Sequence, residues 1–138
     1  MVDLVLAMVM ALICILLHFE ALVLVRRLAR SLTSPRLALL ATWTGLLCAH
    51  VVEIWLYGVV YWGCARLGIG GIEGAATTLD YGYFSAVVYT TLGFGDLVPA
   101  PGIQILAASE ALVGLCLIAW SATITFNRIL PHSEPPPT

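Results

Sequence analysis

Lysine is absent from this sequence, and charge of either sign is scarce: charged residues make up 10% of the 138, six of them arginine and eight acidic. A soluble domain carries about 25% charged residues, so a water-facing globular surface is excluded. With no lysine and one short basic stretch, a nucleic-acid-binding role is excluded as well. The four cysteines, Cys14, Cys48, Cys64 and Cys116, are scattered singly. They form neither a C-x-x-C pair nor a zinc-type pattern, which removes redox-pair and structural-metal readings. Three of them lie in apolar runs, where cysteine acts as a small hydrophobe. Cys64, at the end of a run, leaves a disulfide open. The start, MVD, lacks positive charge, and the apolar run after it exceeds the ~7–15 residues of a signal peptide. No internal repeat is visible.

What is present is apolar: 61% of residues are hydrophobic and the mean hydropathy is +1.01. Three segments, 4–25, 37–62 and 103–127, reach the roughly 20 residues that a bilayer crossing needs. The chain therefore reads as a multi-pass integral membrane protein of a cell (plasma) membrane. Four arginines, Arg26, Arg27, Arg30 and Arg36, fall in the linker RRLARSLTSPR. An excess of arginine marks a cytoplasmic loop. Counting crossings then places the N-terminus outside, 63–102 outside and the C-terminus in the cytoplasm. Arg128 agrees with that topology, and Arg66 is the exception.

The stretch 63–102 divides in two. Residues 63–80, GCARLGIGGIEGAATTLD, are glycine-rich and read as an exposed loop. Residues 81–91, YGYFSAVVYTT, are apolar and aromatic but too short to span, as in a re-entrant segment. Asp80 stands where an N-cap is expected. The string TTLGFGDLVP follows, and Pro99, Pro101 and Gly102 suit a turn into the third span. The tail 128–138 is proline-rich and is expected to be disordered.

Irregular backbone next to lipid leaves N–H and C=O groups unpaired, and is tolerated where it lines a water-filled cavity. Consecutive carbonyls that all point one way can replace the hydration shell of a monovalent cation. An ordinary strand alternates them, and breaking that alternation needs residues that tolerate positive φ. Gly93 and Gly95 sit at the alternate positions such a ladder requires, and Thr91 adds a hydroxyl oxygen.

Residues 90–96, TTLGFGD, resemble the signature of potassium channels, whose four loops line a selectivity filter. The resemblance implies an all-α membrane protein with three transmembrane helices, one re-entrant pore helix and a filter loop, assembled as a homotetramer. It divides the chain into an N-terminal helix and basic loop (1–36), a pore module (37–127) and the tail. The module comprises an outer helix 37–62, turret 63–80, pore helix 81–91, filter 91–96 and inner helix 103–127. Thr91, Leu92, Gly93, Phe94 and Gly95 match the filter, with K+ held at Thr91, Leu92, Gly93 and Phe94. Thr90 matches the cap of the pore helix, Asp96 the acid at the outer mouth, and Tyr83 and Phe84 the aromatic pair that braces the filter. Leu92 and Phe94 replace the usual valine and tyrosine, so the rear of the filter is repacked and a phenolic hydrogen bond is lost.

Other residues carry two readings each. Gly114 is a hinge of the inner helix or a small residue for close helix contact. Leu115, Ile118, Ala122 and Phe126 recur at helical spacing and either line the cavity, with Phe126 as gate, or pack. His18, Glu20, His50, Glu53 and Glu110 are ionisable residues inside spans, where such groups serve function or structural hydrogen bonding. His50 and Glu53 meet at i,i+3. Glu53 and Glu110 lie level with the pore helix and are expected to support it, and Glu20 is expected to pair with a loop arginine. No voltage sensor is visible, since arginines do not recur within a span. The expected activity is passive, potassium-selective conduction, with no enzymatic role, no cofactor beyond the permeant ion and no small-molecule substrate. A weakly selective cation channel and a non-conducting scaffold or accessory subunit are the alternatives. The first span is expected to pack outside the pore module.

Overall fold

The structure, a computed structural model, describes residues 1–129 and is all-helical apart from a two-residue ladder. Its elements are α1 (Val2–Ser31), α2 (Pro35–Arg66), β1 (Ile72–Glu73), α3 (Thr78–Tyr89), β2 (Val98–Pro99) and α4 (Gln104–Ile129). By length and composition α1, α2 and α4 can each cross a membrane. At about 1.5 Å per residue, the twelve residues of α3 cover only about 18 Å.

The helices outrun their expected bounds. The anticipated basic loop 26–36 is mostly helix, because Arg26, Arg27, Leu28, Ala29 and Arg30 are all good helix formers. Only 32–34 are non-helical, and Ser34 is extended (φ −89°, ψ 122°), as the residue before a proline prefers. Pro35 then opens α2, where its missing N–H costs nothing. At the other end α4 continues to Ile129, so two residues of the expected tail are helical. The rest of that tail, 130–138, lies outside the described residues.

Each long helix buries one stripe. On α1 the buried positions are Ala7, Met10, Cys14, His18, Leu22, Val25 and Ala29, a spacing of three or four throughout. The opposite face exposes Val5, Val9, Leu12 and Leu16. An apolar outer face of this kind suits lipid, and three such helices make this a multi-pass membrane protein. The α1 stripe packs along α2 and α4, and α3 packs against the same two helices. The core where they meet contains Tyr57, Tyr61, Phe84, Ile103, Leu106 and Leu117. All four cysteines are free, including Cys64.

Two features tie together the end of the bundle where α4 begins. β1 pairs antiparallel with β2, matching Ile72 with Pro99 and Glu73 with Val98, and Ala100 N–H donates to the Gly71 carbonyl at 2.9 Å. Gly102 (φ +105°) follows; a Cβ there would stand 2.2 Å from the Ile69 carbonyl oxygen, so no other residue fits that turn. The second feature spans the whole chain. The first backbone N–H groups of a helix have no intrahelical acceptor. In α4 two of them, on Ile105 and Leu106, donate to the Asp3 carboxylate at 2.9 and 2.8 Å. Asp3 thus caps a helix a hundred residues away, with a negative charge where the helix dipole favours one. Asp3→Ala is expected to lower stability by about 0.5–2 kcal/mol, the usual cost of a lost cap. Thermal unfolding of the purified protein in detergent checks it, and an unchanged midpoint would remove Asp3 from this role.

Candidate functional site

The segment 90–96 begins where α3 stops, so α3 sets its position. The start of α3 differs from expectation. Thr77, not Asp80, is the N-cap, with an extended backbone (φ −125°, ψ 165°), and Asp80 is the third helical residue. The pair forms a capping box. Asp80 Oδ2 accepts from the backbone N–H groups of Ala76 and Thr77, both at 2.7 Å. Those two backbone bonds hold the Asp80 carboxyl below its ordinary value. At the other end Thr90 is the C-cap, and its hydroxyl donates to the Ala86 carbonyl at 2.7 Å.

Beyond Thr90 the backbone alternates in handedness. Thr91 has φ +59°, Gly93 φ +59° and Gly95 φ +80°. Leu92 and Phe94 between them do not share this conformation. Such alternation turns successive carbonyls toward the same side. Positive φ in a β-branched residue is a genuine outlier, and it costs of order 1–3 kcal/mol unless the surroundings enforce it. Here the chain is pinned from behind: Thr91 N–H donates to the Val88 carbonyl at 2.9 Å and Leu92 N–H to the Val87 carbonyl at 3.0 Å. The N–H groups are thereby used, while none of the carbonyls of 91–95 accepts a hydrogen bond among the described residues. Positive φ at Gly93 and Gly95 was legible from residue type; its presence at Thr91 was not.

The side chains of Leu92 and Phe94 are 59% and 63% exposed in the single chain. Tyr83 donates its hydroxyl to Asp96 at 2.9 Å, which raises the Tyr83 hydroxyl above its ordinary pKa. Phe84 is buried edge-on against Tyr61, with ring centres 5.1 Å apart. The aromatic pair is therefore split, with Tyr83 at the Asp96 end and Phe84 in the core.

Both carboxylates expected behind α3 touch it. Glu110 accepts hydrogen bonds from Ser85 of α3 and Tyr61 of α2, each at 2.5 Å. Glu53 accepts from the hydroxyl of Tyr89, the last residue of α3. It also contacts His18 Nδ1 at 2.9 Å and His50 Nδ1 at 3.3 Å. The ring nitrogens of His18 and His50 reach Ser121 as well. Ser85, Tyr89 and Ser121 had no distinguishing signal in sequence, because nothing there says which hydroxyl faces an acid. Glu20 is exposed and forms no ion pair among the described residues, contrary to expectation.

Gly114 lies in close packing. A Cβ there would stand 2.3 Å from the Tyr89 carbonyl oxygen and 3.0 Å from its carbon. Leu115, Ile118, Ala122 and Phe126 form an outward stripe on α4, exposed in the single chain.

This organisation has a counterpart among known families. Residues 46–130, more than half of the chain, match a family model described as Ion channel. The chain belongs to this ion channel family. The match takes in most of α2, all of α3, the segment 90–96 and α4; it leaves out α1. No curated protein and no solved structure matches the chain.

The Asp80 box gives a pH dependence with a definite sign. A carboxyl whose folded pKa is depressed stabilises the fold above its unfolded value, ordinarily 3.8, and that contribution disappears as pH falls through the lower folded value. Thermal stability of this ion channel is expected to decline on that acid limb, and Asp80→Asn is expected to flatten it. Melting curves recorded from pH 6 down to about pH 2 test this; parallel curves for the two proteins would refute it.

Proposed function

We propose that residues 91–96 form a potassium-selectivity filter and that this ion channel conducts K+ passively down its gradient. The observation that carries the proposal is the positive φ at every second residue, 91, 93 and 95, with the carbonyls of 91–95 unbonded among the described residues. The carbonyls of Thr91, Leu92, Gly93 and Phe94, with the Thr91 hydroxyl, are the proposed oxygens for K+. Carbonyl rings of this type replace the hydration shell of K+.

One chain supplies one such row, and a ring needs several. We infer a homotetramer around one axis, in keeping with the cyclic symmetry of most homo-oligomers. The exposed Leu92 and Phe94 and the outward stripe of α4 support it, since apolar side chains at the proposed filter need cover from another copy. In that assembly α3 enters the membrane as a re-entrant pore helix. Its C-terminal end carries partial negative charge, which favours a cation beneath the filter. Leu115, Ile118, Ala122 and Phe126 are the proposed cavity and gate residues, and Asp96, held by Tyr83, the acid at the outer mouth. The arginines at the α1–α2 junction support an external N-terminus. Ion passage, not catalysis, is the activity of this reading.

The loss of the phenolic hydroxyl at Phe94 favours one alternative, a less selective cation channel. Two measurements on purified protein in liposomes test both readings. Gly93→Ala places a Cβ where φ is +59° and is expected to abolish potassium flux while the oligomer stays intact on native gels. Flux that persists would refute the filter. Reversal potentials with potassium on one side and sodium on the other are expected to show strong potassium preference. A reversal potential near zero assigns the chain to the weakly selective class.

A further inference from the structure

Beneath the end of α3, four helices contribute to one buried polar cluster: His18 from α1, His50 and Glu53 from α2, Tyr89 from α3 and Ser121 from α4. His18 and Glu53 are fully buried, and His50 is 14% exposed. Five hydrogen-bond contacts join these groups, beside the longer 3.3 Å approach of His50 Nδ1 to Glu53 Oε2, which can only share the His50 Nδ1 hydrogen. His18 Nδ1 meets Glu53 Oε1 at 2.9 Å and His18 Nε2 meets Ser121 Oγ at 3.0 Å. His50 Nε2 meets Ser121 Oγ at 3.1 Å and His50 Nδ1 meets the Tyr89 hydroxyl at 2.8 Å. The Tyr89 hydroxyl meets Glu53 Oε2.

Each hydrogen bond consumes one hydrogen. With Glu53 ionised and both imidazoles neutral, the cluster owns four: one on each ring, one on Tyr89 and one on Ser121. Five contacts therefore exceed the supply by one. The directions follow from donor and acceptor chemistry. An ionised carboxylate only accepts, so His18 Nδ1–H and Tyr89 O–H both donate to Glu53. The Tyr89 oxygen must then accept from His50 Nδ1–H. Ser121 can donate to one Nε2 and must accept from the other, so that second ring carries hydrogens on both nitrogens. Rotation of the Ser121 hydroxyl decides whether the imidazolium is His18 or His50. With the fifth proton the cluster is neutral; without it, a net negative charge is buried and one contact has no hydrogen. Burial of that kind is costly.

We propose that this cluster is a proton-binding site holding one proton more than its neutral side chains supply, and that the proton's loss on raising pH weakens conduction. The second half rests on the filter reading above. The link is positional. Tyr89 directly precedes Thr90 and Thr91, its hydroxyl is held by the cluster, and its carbonyl packs closely against Gly114. Ser121 lies on the same helix as Gly114, two turns further on. Loss of the fifth proton leaves one of these contacts without a hydrogen and so loosens the cluster that holds the Tyr89 hydroxyl. His50, Tyr89 and Ser121 also line a groove of about 400 Å³ between α2, the end of α3 and α4, so one side of the cluster borders open space in the single chain. The other titratable side chains packed nearby are Cys14 of α1, Tyr57 and Tyr61 of α2 and Glu110 of α4.

The test uses the full chain in liposomes with histidine isotopically labelled. The chain has three histidines, so the signals of His18 and His50 are separable from that of His132 by single substitutions. At pH 7 the expected result is one imidazolium shared between His18 and His50, lost in a single step as pH rises. A carboxylic proton on Glu53 between two neutral imidazoles satisfies the same count. Potassium flux, with equal pH on both sides, is expected to fall along that step, the protonated-to-deprotonated ratio changing about tenfold per pH unit. His18→Gln and Glu53→Gln are expected to flatten the flux profile. Two neutral imidazoles beside an ionised Glu53 in the wild type would overturn the proton site, whatever the variants do. So would histidine signals that respond only to added Zn2+, which would make the three ligand groups a metal site. A wild-type proton step with no change in flux, while Gly93→Ala still blocks flux, would keep the filter and overturn the regulatory half.

Discussion

A peptide carbonyl kept from water must find a partner, and the segment 91–95 presents a run of them with none among the described residues. The rest of the fold can be understood as what it takes to hold that run in place. Leu92 and Thr91 give their N–H groups to the last turn of α3, so the segment hangs from that helix. α3 is too short to be stable alone in water and is anchored at both ends. Its N-terminus is closed by the Thr77–Asp80 box; its C-terminus is set by Tyr89 against Gly114. The β1–β2 ladder ties the chain entering this region to the chain leaving it. The unfavourable backbone of Thr91 survives because so much around it is already determined.

Polar groups inside a membrane protein are costly unless paired, and here they sit where a helix must be located most accurately. Glu110 reaches the middle of α3 through Ser85, and Glu53 reaches its end through Tyr89. Apolar packing would permit α3 to slide or rotate against α2 and α4. A hydrogen bond to a buried carboxylate penalises such movement, since the displaced acid would remain unpaired. The two acids therefore act as register marks along a short helix.

Spans, the irregular segment and the acids behind α3 were legible in sequence because each departs from an otherwise apolar background. Hydrophobic length marks the spans, and glycine spacing marks the positions of positive φ. What escaped depended on partners distant in the chain. Asp3 near the N-terminus capping α4, and Ser121 bridging two histidines, are ordinary residues until the helices pack. The end of α1 was misjudged for a different reason. Arginine signals topology through its charge, yet it is also a good helix former, and in 26–31 the second property governs the backbone.

The position of α1 adds a final consideration. It lies outside the matched 46–130 region, and an added helix that only faced lipid would need nothing but an apolar stripe. Instead α1 offers two polar groups, Asp3 at its start to the start of α4, and His18 midway along its buried face to Glu53 and Ser121. Both contacts are made to α2 or α4, the helices that also hold α3. A helix joined at two polar points along α4 cannot shift without breaking one of them, so its movement is coupled to that of α4. On physical grounds, then, α1 is an integral part of the machinery that positions 90–96, although it makes up none of that segment.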